Sequence, residues 1–218
     1  MLSSICRRAF FQFEVPVHYR ARLPRIDGDI GKWSRDYLVP PLVEIEDQDA
    51  FADVYWAWHE DGLALAFDVP ERRGTLECDP KHWWKQDGVR ICVNTREAPD
   101  IRRATRFCHF FYALPVGGGS KGRQPLVGLH RMSRAKEPPP VVDTSRVKVA
   151  ASIQRRGYSL EVLLPAECLH GWDPTEHPRI GIFYKVKDTY HGDQHLTVDD
   201  ELGWNADPST WATGVLVR

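Results

Sequence analysis

The stretch ADVYWAWHEDGLALAFDV, residues 52–69, alternates apolar side chains with others on both sides of Asp61-Gly62. A period of two is the pattern of a β-strand, and Asp-Gly is a favoured two-residue hairpin turn. The segment therefore predicts a hairpin. Val54, Trp56 and Trp58 share one face of its first strand, and Leu63, Leu65, Phe67 and Val69 share one face of its second.

VKVAASIQRRGYSLEVLLP, residues 147–165, predicts another hairpin. Val147, Val149, Ala151 and Ile153 alternate inward, Arg156-Gly157 turns, and Tyr158, Leu160, Val162 and Leu164 alternate back. Further strands are expected at 87–94, 107–114, 180–188 and 211–217. Only PAECLHGW, residues 165–172, reads as briefly helical, with Pro165 acceptable in a first turn. Many short strands, 16 glycines, 16 prolines and almost no 3.6-residue periodicity predict an all-β fold. The expected architecture is an antiparallel β-sandwich of jelly-roll or Ig-like type, with long loops and at most one short helix. A chain of 218 residues fits one such domain, assigned to 24–218, with 1–23 as an N-terminal extension packing on it. GGGSKGRQPLVG (117–128) and RMSRAKEPPPVVD (131–143) are expected to form a mobile excursion. The first of these lacks the spacing of a phosphate loop.

The charge balance excludes several functions. With 29 basic and 30 acidic side chains the formal charge is −1, which gives no electrostatic footprint for nucleic acid or an anionic membrane. No apolar run is long enough to span a bilayer as a helix. Two arginines precede a short apolar patch near the start, but Gln12 and Glu14 interrupt it and no small-residue cleavage site follows. The five cysteines are odd in number and form no C-x-x-C pair. Reduced thiols in the cytoplasm are the default expectation.

The adjacent Trp83 and Trp84 open the expected strand at 87–94, and neighbours in a strand face opposite ways. They cannot both enter one core. RIDGDIGKW at 25–33, WHEDGLALAFDV, WWKQDGVRICVN, GYSLEVLLP, RIGIFYKVKD and WNADPSTWATGVLVR follow one another in an order that resembles the family 9 carbohydrate-binding modules, a branch of the DOMON-like β-sandwiches. The resemblance covers roughly residues 24–218.

That resemblance implies a terminal sugar held between two tryptophans, with polar side chains reading its hydroxyls. Carried over by motif, the stacking positions are Trp84, before Q-D-x-V, and Trp204, before D-P-S. Trp83 is left to pack or support. The physics is independent of the family, because the axial-hydrogen face of a pyranose is apolar and an indole covers it at low entropic cost. Trp204 also lies among acids and turn formers, with less obvious core to enter. Trp33, Trp56, Trp58, Trp172 and Trp211 are assigned to packing.

The polar positions that the resemblance implies carry other residues here: Arg90 for a Glu, Cys108 and Phe110 for an Arg and an Asn, Lys185 for a Gln, and Glu201 for an Asn. A plain glucose end cannot be read through the same bonds. Arg90 and Lys185 permit an anionic sugar, unless Arg90 pairs with Glu201. The candidate ligand contacts are thus Trp84, Trp204, Arg90, Asp87, Lys185 and Glu201. The family also carries structural calcium. The corresponding segment, Val69-Pro70-Glu71 with Glu77 and Asp79, also holds Arg72 and Arg73, reads as a solvated loop, and no cofactor is expected.

Other chemistry is weaker. HGDQH at 191–195 lacks the H-E-x-x-H pattern and helical context of a metal motif and reads as a solvated loop. Asp199, Asp200 and Glu201 could supply a hydrolytic carboxylate pair with Asp87 or Glu161, but nothing in the sequence fixes their separation. Cys108 and His109 are strand neighbours and point apart. The reading is a non-catalytic carbohydrate-binding protein. The alternatives are a β-sandwich scaffold that has lost sugar binding and, last, a glycoside-active enzyme.

Overall fold

A computed structural model describes residues 6–97 and 99–218. The first five residues of the expected N-terminal extension lie outside the described residues. Among the described residues, eleven strands form one continuous sheet that folds back on itself. They are β1 Glu14–Tyr19, β2 Asp53–His59, β3 Gly62–Pro70, β4 Gly88–Asn94, β5 Cys108–Gly118, β6 Gln124–Leu129, β7 Lys148–Gln154, β8 Gly157–Pro165, β9 Arg179–Asp188, β10 Gly192–His195 and β11 Ala212–Val217. Their order is β6-β5-β4-β9-β11-β1-β2-β3-β8-β7, with β10 paired to β9 off this path. No α-helix occurs among the described residues. PAECLHGW contributes one 3-10 turn, Ala166–Cys168.

The two predicted hairpins form as expected, β2 with β3 and β7 with β8, and β3 pairs with β8 to join them. Gly62 closes the first turn at φ 139°, where an added Cβ would come within 2.1 Å of the Leu164 carbonyl oxygen. Only glycine fits there. The inward residues named from alternation enter one core with β4, β5 and β9, where Phe67 meets Tyr184 edge to face at 6.4 Å. Ile153 is the exception. It stands near the end of β7 and is 51% exposed.

Two features depart from a simple antiparallel sandwich. Residues 14–19, expected to pack on the domain, form β1 inside the sheet, parallel to both β11 and β2. β1 pairs with β2 only at His18 and Tyr19, so the missing N–H of Pro16 meets no partner on that side. The outer face of β2, β3 and β8 is covered by the following segment. Trp33 packs there with Tyr55, Ala57, Ala64, Ala66 and Leu163, and Leu23, Ile26 and Ile30 support it.

The RIDGDIGKW motif has a structural cause in this cover. Glu161 of β8 is wholly buried and accepts bonds from Gly28 N (2.6 Å), Asp27 N (3.0 Å), Lys32 Nζ (2.9 Å) and Trp33 Nε1 (2.8 Å). Gly28 adopts φ 86°, and a Cβ there would sit 2.9 Å from the Ala151 and Ser152 backbone. The spacing of Asp27, Gly28, Lys32 and Trp33 is therefore set by one carboxylate. A buried charge of this kind is tolerable only when its acceptor sites are filled by donors and a cation.

Candidate functional site

The tryptophan pair lies just before β4, in the turn that follows the Pro80–His82 3-10 turn, so strand alternation does not separate its members. Packing does. Trp83 stacks on Tyr112 of β5 with ring centroids 4.3 Å apart and 6° between planes, while Trp84 meets Trp83 edge-on at 5.9 Å and is 50% exposed. Trp83, Trp84, Arg90, Phe110, His130, Lys185, Asp200, Trp204 and Asn205 line one cleft of about 350 Å³. Four of the six candidates named from sequence, Trp84, Trp204, Arg90 and Lys185, thus meet at one place. Phe110 joins them, so three of the positions carried over from the family face the cleft with changed residue types.

Trp204 corrects an expectation. It is not a ring stranded among acids. The Asp200–Leu202 turn and Gly203, at φ 68°, fold the loop back, and the indole stacks on Phe183 of β9 at 4.6 Å and 18°, leaving it 6% exposed. Its N–H donates to Asp200 Oδ1 at 2.7 Å, and its carbonyl accepts Trp211 Nε1 at 2.8 Å. Trp204 is a fixed wall of the cleft. Trp84 is its half-exposed counterpart, in T-shaped contact with His82 at 5.5 Å and Trp83 at 5.9 Å.

Asp87 does not face the cleft. Its carboxylate is wholly buried and accepts Arg72 Nη2 at 2.6 Å, Glu77 N at 2.7 Å and Thr189 N at 2.6 Å. Glu201 lies on the other side of its loop, lining a separate recess, because the turn that points Asp200 into the cleft points the next residue away. The acid that meets the cleft is Asp200, considered from sequence only for hydrolysis. Asp199 caps the turn through Glu201 N at 3.2 Å, a local pattern that marks the start of the turn separating Asp200 from Glu201.

The two cations are absorbed differently. Lys185 Nζ donates to Asp200 Oδ2 at 2.5 Å and lies 2.9 Å from Asp193 Oδ2. His195 Nε2 approaches Asp200 Oδ1 at 3.1 Å. The bonds from His195, Lys185 and Trp204 hold the Asp200 carboxyl well below the usual carboxylate range against its partial burial. Burial would raise Asp193, but Lys185 brings it down as well. Arg90 is buried and donates to the carbonyls of Gly88 (2.9 Å), Gln86 (3.2 Å) and Trp83, with its guanidinium 5.6 Å from the Trp83 ring centroid. Burial pulls its pKa down to about 10, opposed by Asp193 and other negative groups, so it stays charged at neutral pH. Arg90 therefore fixes the turn that carries both tryptophans and is not bonded to Glu201 in the way expected as an alternative. Lys185 is compensated by two aspartates. The two positive charges expected to recruit an anionic sugar are spent inside the protein.

The segment considered for calcium is organised around an arginine. Arg72 donates to Asp188 Oδ2 (2.8 Å), Asp87 Oδ2 (2.6 Å), Thr189 Oγ1 (3.0 Å) and the carbonyls of Gly74 (2.8 Å) and Thr75 (3.0 Å). The oxygens that could surround a cation surround this guanidinium. Glu71 pairs with Arg156, and Asp79 caps its own turn through Lys81 N at 2.8 Å. Asp193, His195 and Asp200 also cluster, but the ammonium of Lys185 already bridges both aspartates. HGDQH is thus no solvated loop; it forms β10, with Gln194 buried against Ala52 and His195 against the cleft network.

No protein-family model matches the chain, and no curated protein matches it by sequence. Solved structures do. A family 9 carbohydrate-binding module from Caldicellulosiruptor kristjanssonii in complex with cellotriose superposes with a TM-score of 0.63 at 13% identity, covering 94% of this chain and 93% of that one. The same module in complex with glucose gives 0.63 and 13%, covering 93% and 95%. A Bacteroides uniformis protein provisionally described as carbohydrate-binding gives 0.56 at 13%, covering 94% and 99%. At this identity the likeness establishes the fold: the chain has the β-sandwich of family 9 carbohydrate-binding modules over nearly its whole length.

Proposed function

We propose that the chain is a non-catalytic carbohydrate-binding module that receives a terminal sugar in the cleft between Trp84 and Trp204. The single observation carrying this reading is that an exposed indole, a fixed indole and a row of polar groups converge on one cleft of about 350 Å³. Half-exposed Trp84 offers indole surface to the apolar side of a pyranose, and Trp204 with Phe110 lines the same cleft. Asp200, ionised and 58% exposed, accepts from sugar hydroxyls, while Asn205 and His130 add donors and acceptors at the rim. Burial lowers the His130 pKa, so its ring is neutral near pH 7 and suited to hydroxyls. That solved structures of the same fold hold cellotriose and glucose supports the ligand class.

Binding rather than hydrolysis fits the carboxylates. Glycoside cleavage uses two carboxyl groups flanking the bond, one of them protonated to act as acid. Asp200 is held ionised by three donors, and Glu201 lines the other side of the loop. A scaffold that has abandoned sugar is the second reading, favoured by Trp204, whose burial is accounted for by Phe183, Phe110 and Asp200 without a ligand. Titration of a saccharide panel followed by tryptophan fluorescence separates the two. A saturable change lost in Trp84→Ala supports the module, and silence across neutral and acidic oligosaccharides selects the scaffold.

A further inference from the structure

The loop that carries Trp204 has a second face. Asp200, Trp204 and Asn205 line the cleft, whereas Glu201, Leu202, Gly203, Ala206 and Asp207 line a recess of about 750 Å³ on the other side. The opposite wall of that recess is Arg102 and Arg103, from the loop before β5, and Arg134, from the loop after β6. These two loops are tied together. Lys136 N donates to the Ala104 carbonyl at 2.8 Å, and Arg103 Nε to the Arg134 carbonyl at 2.9 Å. Buried Ala104 and Met132 anchor them to the core. Arg134 is held at φ 58°, a left-handed conformation that residues with a Cβ rarely adopt.

Three guanidinium groups thus stand on clipped loops around one concavity, against two carboxylates. One of those, Asp207, already accepts Ser209 N (3.0 Å) and Ser209 Oγ (2.6 Å) at its Oδ1. The planar fork of arginine matches a carboxylate or sulfate bidentately, and its charge is independent of pH in the working range. Cleft and recess are separated by the thickness of one chain segment, since neighbouring residues Gly203 and Trp204 line one each.

We propose that the recess receives the anionic group of an acidic oligosaccharide whose terminal ring occupies the cleft, so that Arg102, Arg103 and Arg134 make the protein select uronate or sulfated sugars over neutral ones. This rests on the saccharide reading above. The negative charge is read at these arginines and not at Arg90 and Lys185.

The test is calorimetric titration of the full chain with three probes: a neutral cello-oligosaccharide, an oligouronide and a sulfated oligosaccharide of matched length. Wild type, Arg102→Gln/Arg134→Gln and Trp84→Ala are compared at low and moderate salt. The expected result is that at least one acidic probe binds about tenfold or more tightly than the neutral one, with salt reducing the difference. The arginine double variant brings the acidic probe to the neutral probe's affinity and leaves the neutral probe unchanged, and Trp84→Ala weakens both. The two acidic probes distinguish carboxylate from sulfate ester. Equal affinity for neutral and acidic probes, or an equal loss for both in the double variant, overturns this inference and leaves the saccharide cleft standing. Acidic binding untouched by Trp84→Ala, or no binding of any probe, overturns both.

Discussion

Trp33 donates its indole N–H to Glu161 at 2.8 Å, a bond that reaches across 128 residues of sequence and fastens the cover segment to the outer face of β8. Glu161 also holds the backbone of Asp27 and Gly28 and the ammonium of Lys32. Removing this carboxylate leaves a half-buried cation and two amides without their acceptor. Glu161→Ala is expected to lose about 3–5 kcal/mol, and Glu161→Gln less, because one acceptor oxygen survives. Urea unfolding midpoints measure both, and a loss under about 1 kcal/mol in Glu161→Ala would contradict this role.

Arg72 sits among six oxygens, two of them on the buried carboxylates Asp87 and Asp188. Arg72→Ala is expected to cost about 3–5 kcal/mol by leaving those charges uncompensated. Arg72→Lys retains the charge but not the fork, and should fall between the wild type and the alanine variant. Thermal melts ranking lysine below alanine would refute the geometric part of this account.

His109 is wholly buried in β5, and burial, partly offset by the His170 backbone, pushes its pKa down to about 4. The unfolded chain binds a proton near pH 6.5, where the folded chain does not, so stability is fully present above that pH and falls as the pH drops toward 4. The loss through this one group is on the order of 3 kcal/mol across that window. Unfolding free energies at pH 7 and pH 4.5 should converge in His109→Phe relative to wild type. An unchanged pH dependence in that variant would remove His109 as the cause.

The two cleft tryptophans should separate stability from binding. Trp84 is half exposed, and Trp84→Ala is expected to change stability by less than about 0.5 kcal/mol while abolishing the saccharide response. Trp204 packs on Phe183 and Phe110, and Trp204→Ala should cost about 3–5 kcal/mol in addition to the loss of binding. Denaturation and calorimetry on the same preparations check the split; a Trp84→Ala protein as unstable as Trp204→Ala would place Trp84 in the core.

What the sequence disclosed, and what it hid, follows from which interactions are local. β2, β3, β7 and β8 were legible because alternation and a glycine turn sit within a few residues of each other. β6 and β10 were read as loops, since Pro125 and the polar HGDQH run carry no apolar alternation. Edge positions tolerate both, because only one side needs a ladder. Motif order leads to Arg90, Lys185, Trp84 and Trp204, which line one cleft, whereas Asp87 and Glu201 lie outside it for different reasons. Asp87 is claimed by Arg72, whose partnership across the fold has no sequence mark, and Glu201 is turned outward by a 3-10 turn one residue out of phase with the expectation. Trp204 looked exposed because its acidic neighbours were read as surface, whereas Asp200 serves as the acceptor that lets the indole be buried.

The parallel pairing of β1 with β11 sets Val15 beside Gly214 and Val17 beside Leu216. A nascent chain emerging from the ribosome makes its first strand early, but β2 pairs with it only at His18 and Tyr19, and its longer ladder waits for β11. Until then the apolar side chains of β1 and the open edge of β2 are exposed together, an invitation to pair with another copy. The arrangement makes this molecule's assembly a race between the arrival of β11 and intermolecular association. Shortening the chain within residues 212–217 would lose that race by design.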